Sequence, residues 1–257
     1  MIGNDIVDLR DSEVLPGVGH PGFDGRVFTD AERALIAAAE DAARMRWSLW
    51  AAKEAAFKAL ARMSPGRIFS PRRLQVALRS DGEAVVSAEE GSVSIVLRTQ
   101  PDGQWVHALA TFGAPAAVVA HVAELSAHPG DADHPSRAVR ALAVREFTRE
   151  RSASDGEEHG TAARDAGAVG AGSSTTGRGS VEGAGIVIAR SVDGLPIFRI
   201  PGRPDGIALS LSHHGRFVAA AWLAEEALEP SSCAGLRAQP CRGSREASAS
   251  AFLGAPA

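Results

Sequence analysis

The chain has 257 residues, 45% of them hydrophobic, and a formal net charge of −4. That length and apolar content support a buried core in one large domain or two smaller ones, and the mild acidity argues against a general nucleic-acid binder. Met1-Ile2-Gly3-Asn4-Asp5 carries neither a basic stretch nor a leader-length apolar run, and the apolar stretch Phe217 to Ala224 is too short to span a bilayer, so the expectation is a cytoplasmic protein with no membrane partner. The two cysteines, Cys233 and Cys241, lack a second pair and nearby histidines, which supports neither a disulfide framework nor a zinc site.

Residues 2 to 9 read as a short strand through Ile2, Ile6, Val7 and Leu9, and the Pro/Gly-rich stretch Pro16 to Gly25 reads as loop. Thr29 and Glu32 have capping-box spacing ahead of an apolar run, so a helix starts at about Asp30. A second helix runs from about Ala42 to Met63, where Met45, Leu49, Ala52, Ala56 and Ala59 form a buried stripe, and Ser64-Pro65-Gly66 ends it. Leu74 to Leu78, Val93 to Arg98 and Trp105 to Phe112 read as an antiparallel meander with turns at Asp81-Gly82 and Asp102-Gly103. Val118 to Leu125 is another apolar run, and Ser136 to Arg149 has helical spacing through Val139, Leu142, Val144 and Phe147. From Ser152 to Gly185 the composition turns to Gly, Ala, Ser and Thr, too poor in large apolar residues to offset ordering entropy, and reads as a flexible insertion. Strands resume at Ile186 to Ala189, Pro196 to Ile200, Ile207 to Ser212 and Phe217 to Leu223, and residues 226–257 read as a disordered tail.

Between Arg44 and Arg73 stand eight basic residues and one acid, Glu54. A basic block in an acidic chain suggests an anionic ligand or partner; the same block also fits a solvated helix face. Lys53 reads as a surface charge with no partner.

Four segments then stand together: Gly3-Asn4-Asp5-Ile6-Val7, Phe28-Thr29-Asp30-Ala31-Glu32, Trp50-Ala51-Ala52-Lys53-Glu54-Ala55-Ala56-Phe57-Lys58, and Ser210-Leu211-Ser212-His213. A lone K-E-A triplet carries little, but four elements in this arrangement resemble the 4'-phosphopantetheinyl transferase superfamily. The resemblance implies an α+β fold with antiparallel sheets packed by helices, and an enzyme that moves the 4'-phosphopantetheine arm of coenzyme A onto a serine of a carrier protein, with magnesium as cofactor. It implies Glu54 as the base and Ser212 and His213 as contacts to the phosphates at the adenosine end of coenzyme A.

The residues themselves point the same way. Trp50, Glu54 and Lys58 follow at intervals of four and share one helix face. A strand carboxylate, Asp5, facing a helix carboxylate, Glu54, makes the sparse all-oxygen site that magnesium takes, with phosphates and waters completing it. Phosphoryl-group transfer needs charge neutralisation and positioning, and Lys58 is the candidate contact to the diphosphate. Trp47 and Trp50 read as packing residues.

Departures from the family pattern leave two points open. Larger members carry a second acid where this chain has Val7; Asp8 follows, but it faces away from Asp5 in a regular strand, so the third ligand is Asp8 or water. The S-H segment comes last, as in the small trimeric synthases, yet the chain is about twice their length. Two similar halves in permuted order, residues 1–115 and 116–225, place the site in the cleft between them and permit a monomer; a single small unit with a long insertion would require a trimer. A non-catalytic module that binds coenzyme A or carrier domains, and a magnesium-dependent phosphohydrolase, are the competing functions. Fatty-acid, polyketide and nonribosomal-peptide carriers all offer an acidic surface that the basic block suits.

Overall fold

The computed structural model describes residues 1–15, 22–79, 82–100, 102–112, 118–125, 134–158 and 185–224. Strand β1 (Ile2–Asp8) is followed by a 3-10 turn at Ser12–Val14 and three helices, α1 (Phe23–Val27), α2 (Asp30–Ala38) and α3 (Ala42–Ala61). Strands β2 (Gln75–Leu78), β3 (Glu83–Ala88), β4 (Gly91–Thr99) and β5 (Trp105–Thr111) complete an antiparallel sheet in the order β1-β5-β4-β3-β2. Strand β6 (Val118–Glu124), helix α4 (Pro135–Glu158) and strands β7 (Val187–Arg190), β8 (Pro196–Arg199), β9 (Ile207–His214) and β10 (Phe217–Leu223) follow, with a second antiparallel sheet ordered β6-β10-β9-β8-β7. In each sheet the first strand pairs with the last and the others follow in descending order, so one α+β topology occurs twice.

Helix α2 begins where the capping box predicts: Thr29 accepts from the Glu32 N–H and Glu32 accepts from the Thr29 N–H. In α3 the expected stripe is buried at Leu49, Ala52, Ala56 and Ala59, and its run of alanines lets the helix lie close on β1. Gly3 permits the closest approach, because a Cβ there would collide with the Ala55 carbonyl and sit 3.0 Å from the Lys58 Cβ.

Several expectations are corrected. The stretch read as loop up to Gly25 contains α1, held to α3 by a forked pair between Arg46 and Asp24; residues 16–21 lie outside the described residues. The meander has a further strand, β3, whose small residues and position just after Gly82 hide it. Helix α4 continues past Arg149 to Glu158, through the start of the stretch read as insertion, whose residues 159–184 lie outside the described ones, as does the tail read at 226–257. Among the described residues no helix is long and apolar enough to cross a membrane.

Lys53 is the largest correction. Its side chain is fully buried, paired with Glu32 at 2.8 Å, and it donates to the Pro71 and Leu74 carbonyls. Burial pulls its pKa below the usual lysine value, opposed by the Glu32 carboxylate. Glu32 also accepts from the Val76 N–H, so this pair ties α2, α3 and β2 together. Removing one partner of such a pair strands a buried charge. Lys53→Ala is therefore expected to lower the unfolding free energy by about 3 kcal/mol in urea titration, and a loss below about 1 kcal/mol would contradict the role given to the pair.

Candidate active site

The outer edge of β1 faces the second sheet, yet it pairs with side chains and not with a strand backbone. Ser210 Oγ accepts from the Asn4 N–H at 2.8 Å, Ser212 Oγ from the Ile6 N–H at 3.2 Å, and His214 Nδ1 from the Asp8 N–H at 3.2 Å. Alternation along β9 puts these three residues on one face, and alternation along β1 puts their three donors on one edge. From α3, Arg62 donates to the Ile2 carbonyl at 3.0 Å and Lys58 to the Asn4 carbonyl at 3.0 Å, while Arg62 also reaches the Leu209 carbonyl. Apolar contacts flank this seam: Ile2 packs with Leu109 and Ala221, and Ile6 with Phe217 and Ala219.

Asp5 projects from the same strand toward α3. One of its oxygens, Oδ1, accepts from Ser212 Oγ at 2.8 Å and meets the Lys58 ammonium at 2.8 Å, and Lys58 also lies 3.6 Å from Glu54, one turn earlier on α3. Two carboxylates from different elements thus converge on one ammonium nitrogen. Burial raises the Glu54 pKa and the Asp5 charge raises it further, against the opposing effect of Lys58. Behind them Asn4 Nδ2 and His107 Nε2 lie 3.2 Å apart, both residues buried; burial, with the Arg98 and Lys58 charges, pushes the His107 pKa down to about 3, so its ring is neutral.

A cavity of about 510 Å³ opens over these groups. Asp5 and Glu54 line it from the first sheet and its helix, His213 and His214 from β9, and Glu13 lies at the 3-10 turn. Phe23, Trp47 and Trp50 form an aromatic wall, with Phe23 centred 5.7 Å from Trp47 and 5.4 Å from Trp50. Trp47 Nε1 donates to the Val14 carbonyl and seats the 3-10 turn there. The two tryptophans read as packing residues therefore also face the cavity. His213 additionally lines a second cavity, of about 220 Å³, with Arg140 and Arg190. Burial lowers the His213 pKa, as do the nearby Lys58, His134 and His214 charges, while Asp5 opposes them.

Of the residues singled out in sequence, Asp5, Glu54 and His213 share the larger cavity, and Lys58 and Ser212 meet it through Asp5. Ser212 spends its hydroxyl on Asp5 and the Ile6 N–H, which orients the Asp5 carboxylate. Asp8 is not available as a ligand. Its two oxygens accept from the Arg10 N–H, the Arg216 N–H and two guanidinium nitrogens of Arg216, which fills their acceptor positions. Burial works against its charge, but Arg216 and the two backbone donors prevail and hold the carboxyl below the usual range. Gly215, at φ +52, is required beside it, since a Cβ there would lie 2.7 Å from Asp8 Oδ2.

Oxygen-only donors on two converging acids suit a hard divalent cation, which would also relieve the Asp5 repulsion that adds to burial in raising the Glu54 pKa. Asp5 and Glu54 are the pair that could hold it, with other oxygens as its remainder; among the described residues no group of three or more His, Cys, Asp and Glu side chains is placed to hold a metal ion.

Glu54 also gives a stability test. Its folded-state pKa lies above the unfolded one, so its ionisation disfavours the fold, an effect that sets in as pH rises through the unfolded value and is complete only above the folded one. Glu54→Gln is expected to melt about 2 °C higher than the wild type at neutral pH in chelator, read by differential scanning calorimetry. A lower melting temperature would mean that the Lys58 contact outweighs the repulsion.

Residues 1–120 match the model of the 4'-phosphopantetheinyl transferase superfamily, a span that contains β1, α3 and the whole first sheet and ends before the strand bearing Ser212 and His213. No curated protein matches the chain.

Proposed function

We propose that the protein transfers the 4'-phosphopantetheine group of coenzyme A to a serine of an apo carrier protein, giving holo carrier protein and adenosine 3',5'-bisphosphate. The observation that carries this reading is the convergence of Asp5, Glu54 and His213 on one cavity between the two sheets, with Lys58 paired to both acids, in a chain whose first 120 residues match the model of the transferase superfamily. Asp5 and Glu54 would hold magnesium, which when bound supplies electrophilic stabilisation to the diphosphate.

The residues of the chain do the rest. Glu54 takes the proton of the carrier serine as its oxygen attacks the phosphorus next to the pantetheine; its raised pKa suits that task. The bond to the departing adenosine-side phosphate breaks, and Lys58 offsets the negative charge gathering there. Ser212 keeps Asp5 in orientation through its 2.8 Å bond. The smaller cavity, with Arg140 and Arg190 beside His213, suits the 3'-phosphate, a separate dianionic end of the same substrate. Trp47, Trp50 and Phe23 offer an apolar wall for the pantetheine arm. Of the basic residues from Arg44 to Arg73, the exposed ones, Arg44, Arg72 and Arg73, suit the acidic face of a carrier, whether of fatty-acid, polyketide or nonribosomal-peptide type, while Lys53, Lys58 and Arg62 are engaged inside the protein. With acids from one half and imidazoles from the other, a single chain supplies both walls and a monomer suffices.

Incubation with coenzyme A, magnesium and a panel of apo carriers of these three types, read by intact-protein mass spectrometry, is expected to show the added arm on at least one carrier. Glu54→Gln is expected to fold and to lose at least about a hundredfold in rate. No addition to any carrier sinks the transferase reading, and wild-type turnover by Glu54→Gln removes Glu54 from the role of base.

A further inference from the structure

His214 is the last residue of β9, and its Nδ1 accepts the Asp8 N–H at 3.2 Å. A nitrogen that accepts a hydrogen bond carries no proton, so the neutral ring holds its proton on Nε2. No described residue engages Nε2. The ring is only partly buried and lines the larger cavity beside His213, opposite Asp5 and Glu54. Its anchor is rigid, because Asp8 is itself clamped by Arg216, the second residue after His214.

The charge of the lining shows what such a donor is for. The first sheet, its helix and the 3-10 turn give the cavity three carboxylates, Asp5, Glu54 and Glu13, and the second sheet gives it two imidazoles. A phosphate group entering here meets acids on one side, and the N–H donors that can receive its oxygens come from the β9 side. We infer that His214 is a substrate-binding residue: the Asp8 N–H fixes its tautomer so that Nε2–H donates to a phosphate oxygen of the bound diphosphate ester. This rests on the transferase reading and adds to it a donor that needs no protonation to act.

The two ring nitrogens can be separated experimentally. His214→Asn retains an acceptor for the Asp8 N–H but has no donor where Nε2 stood; His214→Gln places an amide N–H near that position. With the full chain and magnesium, calorimetric titration of coenzyme A is expected to give a Kd about tenfold weaker for His214→Asn at an unchanged melting temperature, and a Kd within about threefold of wild type for His214→Gln. If His214→Asn fails to fold, His214→Gln against His214→Leu makes the same comparison, since both lose the ring acceptor and only Gln keeps a donor. Equal affinity within the pair compared, or His214→Asn binding as tightly as wild type, overturns the assignment and leaves the transferase reading intact. A wild type that binds no coenzyme A overturns both.

Discussion

Everything in this molecule depends on how one edge of β1 is satisfied. An edge strand facing another part of the protein needs partners for its N–H and C=O groups, and the usual solution is another strand. Here the partners are side chains: two serine hydroxyls and an imidazole from β9 take the N–H groups, while a lysine and an arginine from α3 take the carbonyls. Side chains, and not a backbone ladder, join the two sheets along this edge, and a cleft opens where His213 and His214 stand.

The same contacts arrange the chemistry. Ser212 belongs to the seam through the Ile6 N–H and to the site through Asp5; Lys58 belongs to the seam through the Asn4 carbonyl and to the site through Asp5 and Glu54. Moving either sheet would misorient the acid pair. The halves also divide the lining of the cavity, with carboxylates from the first and imidazoles from the second.

Local features were readable from sequence. The capping box, the alanine-rich stripe of α3 and the apolar runs of most strands depend on residues within a few positions of one another, and the structure has them. Three kinds of feature were not readable. Lys53 looks like any helix lysine until the Pro71 and Leu74 carbonyls and Glu32 fold over it. Asp8 and Arg216 lie 208 positions apart, so nothing local says that they pair. Helix α1 is too short to show a period and β3 is built of small and medium residues after a turn, while the far end of α4 has the composition of a linker. The spacing of Ser210, Ser212 and His214 is plain in sequence; the edge they serve is not.

The recurrence of one topology invites a comparison of matching positions. Asp5 lies opposite Ala108 on the strand paired with β1, and His121 lies opposite Ala220 on the strand paired with β6, so His121 occupies the place of Asp5 in the second half. Its partner on α4 is Glu150, at 2.9 Å, and its ring stacks on Trp222. Polarity is thereby reversed: base on the strand, acid on the helix. On β4, Val96 and Arg98 stand where β9 has Ser210 and Ser212, since Leu97 and Leu211 face Ala108 and Ala220. The two sheets thus share one frame, while among the described residues the strand-borne acid and the hydroxyl rungs stand in only one of them, so the two halves are alike in shape and unlike in chemistry.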